Sequence, residues 1–267
     1  MSGLGPREAS RSDAAPPVTA NGLVMAFGGI KAVNGMSLTL RRGELLGLIG
    51  PNGAGKTTLF NVIAGALKPT AGTVCISGID VSGHGPETRI SHGLGRTFQI
   101  PKPFAQMTVL ENVLTGAQNQ AGERLFSNFL RPGLVAAQEK ASIEKARALL
   151  DFVTLSALEN EPARVLSGGQ RKLLELARIL MADPTVILLD EPAAGVNPAL
   201  LEFIITRIVE LNQQGKSILV IEHNMDMVTR LCSRVVVMAA GSLLTEGTPD
   251  EVTRNPAVIE AYLGDQP

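Results

Sequence analysis

With 267 residues and 45% apolar side chains, the chain has material for one large domain or for a core carrying an inserted subdomain. A net charge of −1, with no basic stripe interleaved with aromatics, argues against electrostatic binding of nucleic acid. No apolar run approaches the ~20 residues of a membrane span, no signal-peptide core opens the chain, and Cys75 and Cys232 are too few for a disulfide framework. The expectation is a cytoplasmic protein with two free thiols, reaching a membrane only through a partner.

Met1 to Pro17 is rich in Ser, Ala, Pro and Gly, the composition of a disordered leader. From Val18 the pattern becomes strand-like. Gly22–Phe27 and Ile30–Leu40 flank Gly28-Gly29 as a β-hairpin with Phe27 at its tip. In a chain with one Tyr, no Trp and eight Phe, Phe27 offers either a face for a stacked adenine or a packing contact with its own hairpin, and both readings stay open.

The apolar run Leu45–Ile49 then meets Gly50-Pro51-Asn52-Gly53-Ala54-Gly55-Lys56-Thr57-Thr58, which opens a helix-like segment, Leu59–Leu67. This is GxxxxGK[ST] in its strand–loop–helix setting, the phosphate-binding loop. Its glycines let successive N–H groups turn inward on a polyphosphate, and the positive end of the helix adds to them. Lys56 is placed to reach the β- and γ-phosphates, the Thr57 hydroxyl to ligate a bridging Mg²⁺, and Thr58 to support the same region.

Beyond a turn and a short strand at Thr73–Ser77, Pro86–His92 reads as a brief helix closed by Gly93, and Arg96–Gln99 as strand character ending in an amide. From Ile100 to about Ala182 strand signals disappear. Thr108 to Glu111 forms a capping box, 119–132 is loop-like, and Ala136–Phe152 has helical periodicity. This is the signature of a helical subdomain inserted in an αβ core. Within it, Ser167 to Gln170 of Leu166-Ser167-Gly168-Gly169-Gln170 is also a capping box, which accounts for the Ser and the Gln. It does not account for two consecutive glycines at a helix N-terminus, where exposed N–H groups form a second anion site. Two phosphate-type sites far apart in one chain fit a ligand held between two copies of it.

Val186–Leu189 is apolar without alternation, as in a parallel strand covered on both faces, and it ends in Asp190-Glu191. Such strand ends are where αβ folds place their sites. Successive strand residues point oppositely, so Asp190 is read as holding Mg²⁺ and Glu191 as general base for an attacking water. Asn197-Pro198 starts a helix as N-cap and first residue. Ser217–Ile221 repeats the buried-strand pattern and delivers His223 to the same edge, with its ring toward a γ-phosphate. A hairpin at Val235–Thr245 and short helices from Thr248-Pro249 and Asn255-Pro256 finish the chain.

In this order, Gly50–Thr58, Gln99, Leu166–Gln170, Val186–Glu191 and His223 resemble the ATP-binding subunit of an ABC transporter, over roughly Val18 to Gly264. Phe27–Asn34, Arg96–Gln99, Asp190–Pro198 and Asn255–Gly264 are similar to the branched-chain amino acid importer ATPases of the LivG type. The resemblance implies an α/β P-loop NTPase (RecA-like) core with an antiparallel β subdomain and an inserted α-helical subdomain. It divides the chain into a leader (1–17), a nucleotide-binding core (18–99 and 182–240), a helical subdomain (100–181) and a C-terminal strand and helices (241–267).

It further implies Phe27 at adenine, Lys56 and its loop on the phosphates of ATP, and Thr57 and Gln99 near Mg²⁺. Asp190 belongs to the metal shell, Glu191 is the catalytic base, His223 meets the γ-phosphate, and Ser167–Gln170 contacts the ATP of a second ATPase subunit. Asn197 stands where most of the superfamily has Asp. Implied partners are transmembrane permease subunits and, indirectly, an extracytoplasmic solute-binding protein, which places the chain on the inner face of the membrane. A P-loop kinase or GTPase needs neither the Leu166–Gln170 signature nor His223. ABC-type proteins of ribosomes or DNA usually carry a second cassette or a long coiled coil, and neither is visible here. The solute is not legible, since related ATPases serve urea, short amides or lipid export.

Overall fold

The computed structural model describes residues 15–97, 102–118 and 132–263. The expected leader up to residue 14, Gln99 and the expected loop at 119–131 lie outside the described residues.

Strands β1 (Val18–Phe27), β2 (Ile30–Leu40), β4 (Ala71–Ile76) and β5 (Ile79–Asp80) form an antiparallel sheet in the order β2-β1-β4-β5. A second sheet runs β10-β9-β3-β8-β7-β6, from β3 (Leu45–Ile49), β6 (Leu94–Arg96), β7 (Val186–Asp190), β8 (Ser217–Ile221), β9 (Arg234–Ala239) and β10 (Ser242–Gly247). Its strands are parallel except β10, which pairs with β9 as the antiparallel arm of the terminal hairpin.

The absence of alternation in the central strands follows from their position. Ile187, Leu189, Ile218 and Val220 enter one apolar cluster, shared with the helical layer. Leu46, Leu48, Leu188, Leu219 and Ile221 enter another, shared with helix α1 (Lys56–Ile63) and the first sheet. Every side chain of β3, β7 and β8 is therefore buried, whichever way it points.

The register sets the site. Leu48 pairs with Ile221, and Asp190 with Ile221, so β3, β8 and β7 end side by side and their following loops emerge on one edge.

Helix α1 begins at Lys56, inside the glycine-rich loop, and stops at Ile63, short of the expected Leu67, with Gly65 at φ +81°. Arg89 from α2 (Pro86–Ser91) accounts for its ending. Wholly buried, it donates to the carbonyls of Val62, Ile63 and Val81, supplying partners for the last turn, and burial lowers its pKa to about 10.

Helices α3 (Val109–Leu114), α4 (Pro132–Phe152) and α5 (Gly168–Met181) pack together, with both expected capping boxes formed. An isolated bridge between Thr108 and Pro162 interrupts the otherwise helical segment. Helix α6 (Pro198–Gln213) starts on Asn197, whose side chain accepts from the Leu200 amide. Helices α7 (Met225–Leu231), α8 (Pro249–Thr253) and α9 (Pro256–Leu263) complete the described chain. No described helix is long and apolar enough to cross a membrane.

Candidate functional site

The loop between β3 and α1 has a shape only glycine permits at two positions. A Cβ on Gly50 would stand 2.1 Å from the Met238 carbonyl oxygen, and one on Gly55 would stand 2.2 Å from that of Ala32. The β9–β10 hairpin holds the loop from outside, with Gly241 N–H donating to Ala54 O. From inside, Lys56 Nζ donates to Gly50 O at 2.7 Å and Pro51 O at 2.8 Å, bending the chain around its ammonium group.

Residues Asn52 to Thr58 line a cleft of about 320 Å³ together with Ala32, Glu191 and His223. The phosphate loop thus meets Glu191 and His223 here, while Asp190 is not among the lining residues. Phe27 is not among the lining residues and stands 47% exposed at the end of β1, opposite Ile30. Ser167 to Gln170 are likewise absent from this lining and start α5 elsewhere on the molecule.

Glu191 and His223 are in direct contact, His223 Nε2 lying 2.8 Å from Glu191 Oε1. An ionised carboxylate only accepts, so Nε2 is the donating nitrogen when Glu191 is charged. Glu191 has φ +48°, the left-handed region unusual for a residue with a Cβ, directly after the last residue of β7. Its amide donates to Ile221 O, and its carbonyl accepts from Lys172 Nζ at 2.9 Å. That Lys belongs to α5, two residues beyond the glycine-containing signature. Burial lowers its pKa, opposed by Glu222, Glu191, Glu175 and Asp190.

Asp190 points the other way and is 3% exposed. Its Oδ2 faces Arg96 Nη2 at 3.6 Å, while buried Oδ1 has no hydrogen-bond partner among the described residues. Burial raises its pKa; Arg96 opposes this, and the neighbouring charges of Glu191 and Glu222 add to it. Arg96 is itself lowered by burial and lies over the Phe60 ring at 4.9 Å.

No cluster of three or more His, Cys, Asp or Glu able to hold a metal exists among the described residues. Mg²⁺ held by substrate phosphates, a hydroxyl and one carboxylate needs none. The cleft-lining Thr57 fits that requirement; Asp190 Oδ1 is a buried acceptor without a partner among the described residues, but Asp190 lines a separate pocket with Lys172 and Leu189.

Sequence reasoning missed three contributors. Glu222 is 3% exposed and accepts from the amides of Ala193 and His223. Lys172 was unremarked and Arg96 entered only as part of Arg96–Gln99, because their roles lie in pairing across elements.

The fold and this cleft define a nucleotide-hydrolysing cassette, and comparison narrows the class. Residues 33–194 match the family model for the ABC transporter, and residues 242–266 match that described as branched-chain amino acid ATP-binding cassette transporter. A probable branched-chain amino acid transport ATP-binding protein LivG of Archaeoglobus fulgidus is 41% identical, over 90% of this chain and 92% of that protein. The high-affinity LivG of Escherichia coli K12 is 40% identical over 94% and 98%. Among solved structures, a nucleotide-free ATP-binding cassette from an ABC transporter superposes with TM-score 0.80 at 38% identity, covering 92% of this chain and 98% of the other. A structure described as the ADP conformation of an ATP-binding cassette of an ABC transporter gives 0.79 at 37%, covering 93% and 99%. The chain belongs to the ABC transporter family, in the group of LivG ATP-binding proteins, and is an ATPase.

Proposed function

We propose that this chain powers the import of branched-chain amino acids, working as a pair of ATPase subunits docked on transmembrane permease subunits at the inner face of the membrane. An extracytoplasmic solute-binding protein delivers the cargo. The observation that carries the cargo reading is the match of residues 242–266 to the branched-chain description, together with relatives of that name at about the same length.

The amides of Gly50–Thr58 and Lys56 bind the phosphates of ATP, and Phe27 offers its exposed ring to adenine. Thr57, Asp190 and Gln99 hold Mg²⁺, which neutralises charge on the phosphates when bound. Glu191 takes the proton of the attacking water, with its carboxylate aimed by His223, whose ring also faces the γ-phosphate. Ser167, Gly168, Gly169 and Gln170 lie outside this cleft and serve the ATP of the opposite subunit. ATP that binds only the closed pair draws the two subunits together in proportion to that difference in affinity, and hydrolysis releases them.

The test is uptake of labelled leucine, with labelled urea in parallel, in the source organism lacking this gene and carrying either the wild-type gene or Lys56→Ala. Loss of leucine uptake restored by wild type alone is the expected result. Loss of urea uptake with leucine uptake intact reassigns the cargo.

A further inference from the structure

We propose that Glu222 is a positioning residue for ATP hydrolysis, a buried carboxylate that sets Glu191 and His223 against each other by holding both of their loops at once. The inference rests on the reading of Glu191 and His223 as the hydrolytic pair. Glu222 Oε1 accepts the Ala193 amide at 2.7 Å, in the loop that follows β7 and contains Glu191. Glu222 Oε2 accepts the amides of His223 at 3.0 Å and Asn224 at 3.3 Å, in the loop that follows β8.

The two oxygens of one side chain thus divide between the two loops. β7 and β8 end at Asp190 and Ile221, and the backbone ladder runs one step further, with the Glu191 amide donating to Ile221 O at 3.0 Å. The loop of Glu191 needs such restraint, since its backbone passes through φ +48°. Lys172 holds the same loop from the other side by its carbonyls, at 2.9 Å to Glu191 O and 3.3 Å to Pro192 O. The 2.8 Å contact between Glu191 Oε1 and His223 Nε2 is the distance that this arrangement sets.

An amide in place of the carboxylate keeps the shape but turns one acceptor into a donor facing a backbone N–H, so one loop is released. In the full-length chain, Glu222→Gln is expected to lower kcat about 10- to 100-fold, as small misplacements of reacting groups do, while KM for ATP and the melting temperature stay near wild type. Glu222→Asp keeps the charge beside Lys172 but is a methylene too short to span both loops. It is expected to lose kcat similarly, and it decides the matter if the Gln variant does not fold. Added to His223→Ala, Glu222→Gln should cause little further loss, because the pair it positions is already broken.

Wild-type kcat in the Glu222 variants, or losses that multiply in full with that of His223→Ala, overturns the assignment. If Glu191→Gln and His223→Ala themselves turn over normally, the hydrolytic pair is misassigned and the role of Glu222 falls with it. Loss in those two but not in the Glu222 variants removes only the present inference.

Discussion

Two side chains of this cleft, Lys56 and Glu191, allow the proposed binding and hydrolysis to be separated by experiment. Lys56 is 6% exposed, yet its ammonium lies among loop carbonyls and lines the cleft. Replacing it removes both the cation proposed to meet the phosphates and the internal partner of two carbonyls. Lys56→Ala should weaken ATP binding by ~100-fold or more, given ~1.5–3 kcal/mol for each hydrogen bond to a charged group, as read by calorimetric titration. Glu191→Gln has the same size and leaves the phosphate loop untouched, so ATP binds about as tightly as in wild type. Its turnover should fall by ~10²–10⁴-fold, the usual contribution of a general base, and ATP should trap a dimer visible by size-exclusion chromatography. Normal turnover by this variant would remove Glu191 from the role.

Helix α5 shows how one element serves two ends. Its capping box satisfies the helix start, and its glycines, indistinguishable in sequence, divide in the structure. A Cβ on Gly169 would stand 2.1 Å from Leu200 Cδ2 of α6, whereas one on Gly168 meets nothing within 4 Å. Gly169 is thus accounted for by packing within the chain, and Gly168 faces open space where a ligand or partner can approach. Gly169→Ala pushes on only a terminal methyl of half-buried Leu200, which can turn aside, so it should destabilise the fold by no more than ~1 kcal/mol, with recovery in Gly169→Ala/Leu200→Ala, measured by urea denaturation. Gly168→Ala should keep wild-type stability but lose ATP-driven dimer formation. Wild-type dimerisation in that variant would argue against the signature as a cross-subunit ATP contact.

Across the whole molecule, the two sheets are joined by charge as well as by the apolar layer between them. Arg234, at the start of β9, donates to Glu44 Oε1 at 2.8 Å, to Glu246 Oε2 at 3.1 Å and to Thr39 O of β2 at 2.6 Å. Hydrogen bonding to Glu44 is the main cause of its raised pKa, so the guanidinium stays charged throughout the working pH range. Arg234→Ala leaves buried Glu44 with the Arg41 amide but without its cation. The expected loss is roughly 2–4 kcal/mol, seen as a lower denaturation midpoint with ATP affinity nearly unchanged. Cys232, between Gly47 and the helical layer, has its thiol pushed up to about 12 by burial, with Glu222 and Glu44 adding to the shift. Iodoacetamide at pH 8 should therefore leave it unmodified until the protein unfolds, as followed by mass spectrometry.

Much of this architecture was legible in the chain because local physics writes it there. Glycine spacing marked the phosphate loop, unalternating apolar runs marked β3, β7 and β8 as covered on both faces, and Thr108, Ser167, Asn197 and Thr248 each announced a helix start that the structure contains. The carboxylates and the histidine at strand ends followed from the same pattern. Tertiary structure alone decided which strands lie side by side, and therefore that Glu191 meets His223 rather than merely sharing an edge with it. It also decided that Asp190 turns to Arg96, that Arg89 finishes α1, and that Glu222 and Lys172 hold the loop of Glu191. Such contacts join residues far apart in the chain, Arg96 and Asp190 among them, through distances that no local periodicity encodes. A charged residue next to a strand end looks the same in sequence whether it faces water or fastens two loops, because its meaning lies in the partner that the fold brings to it.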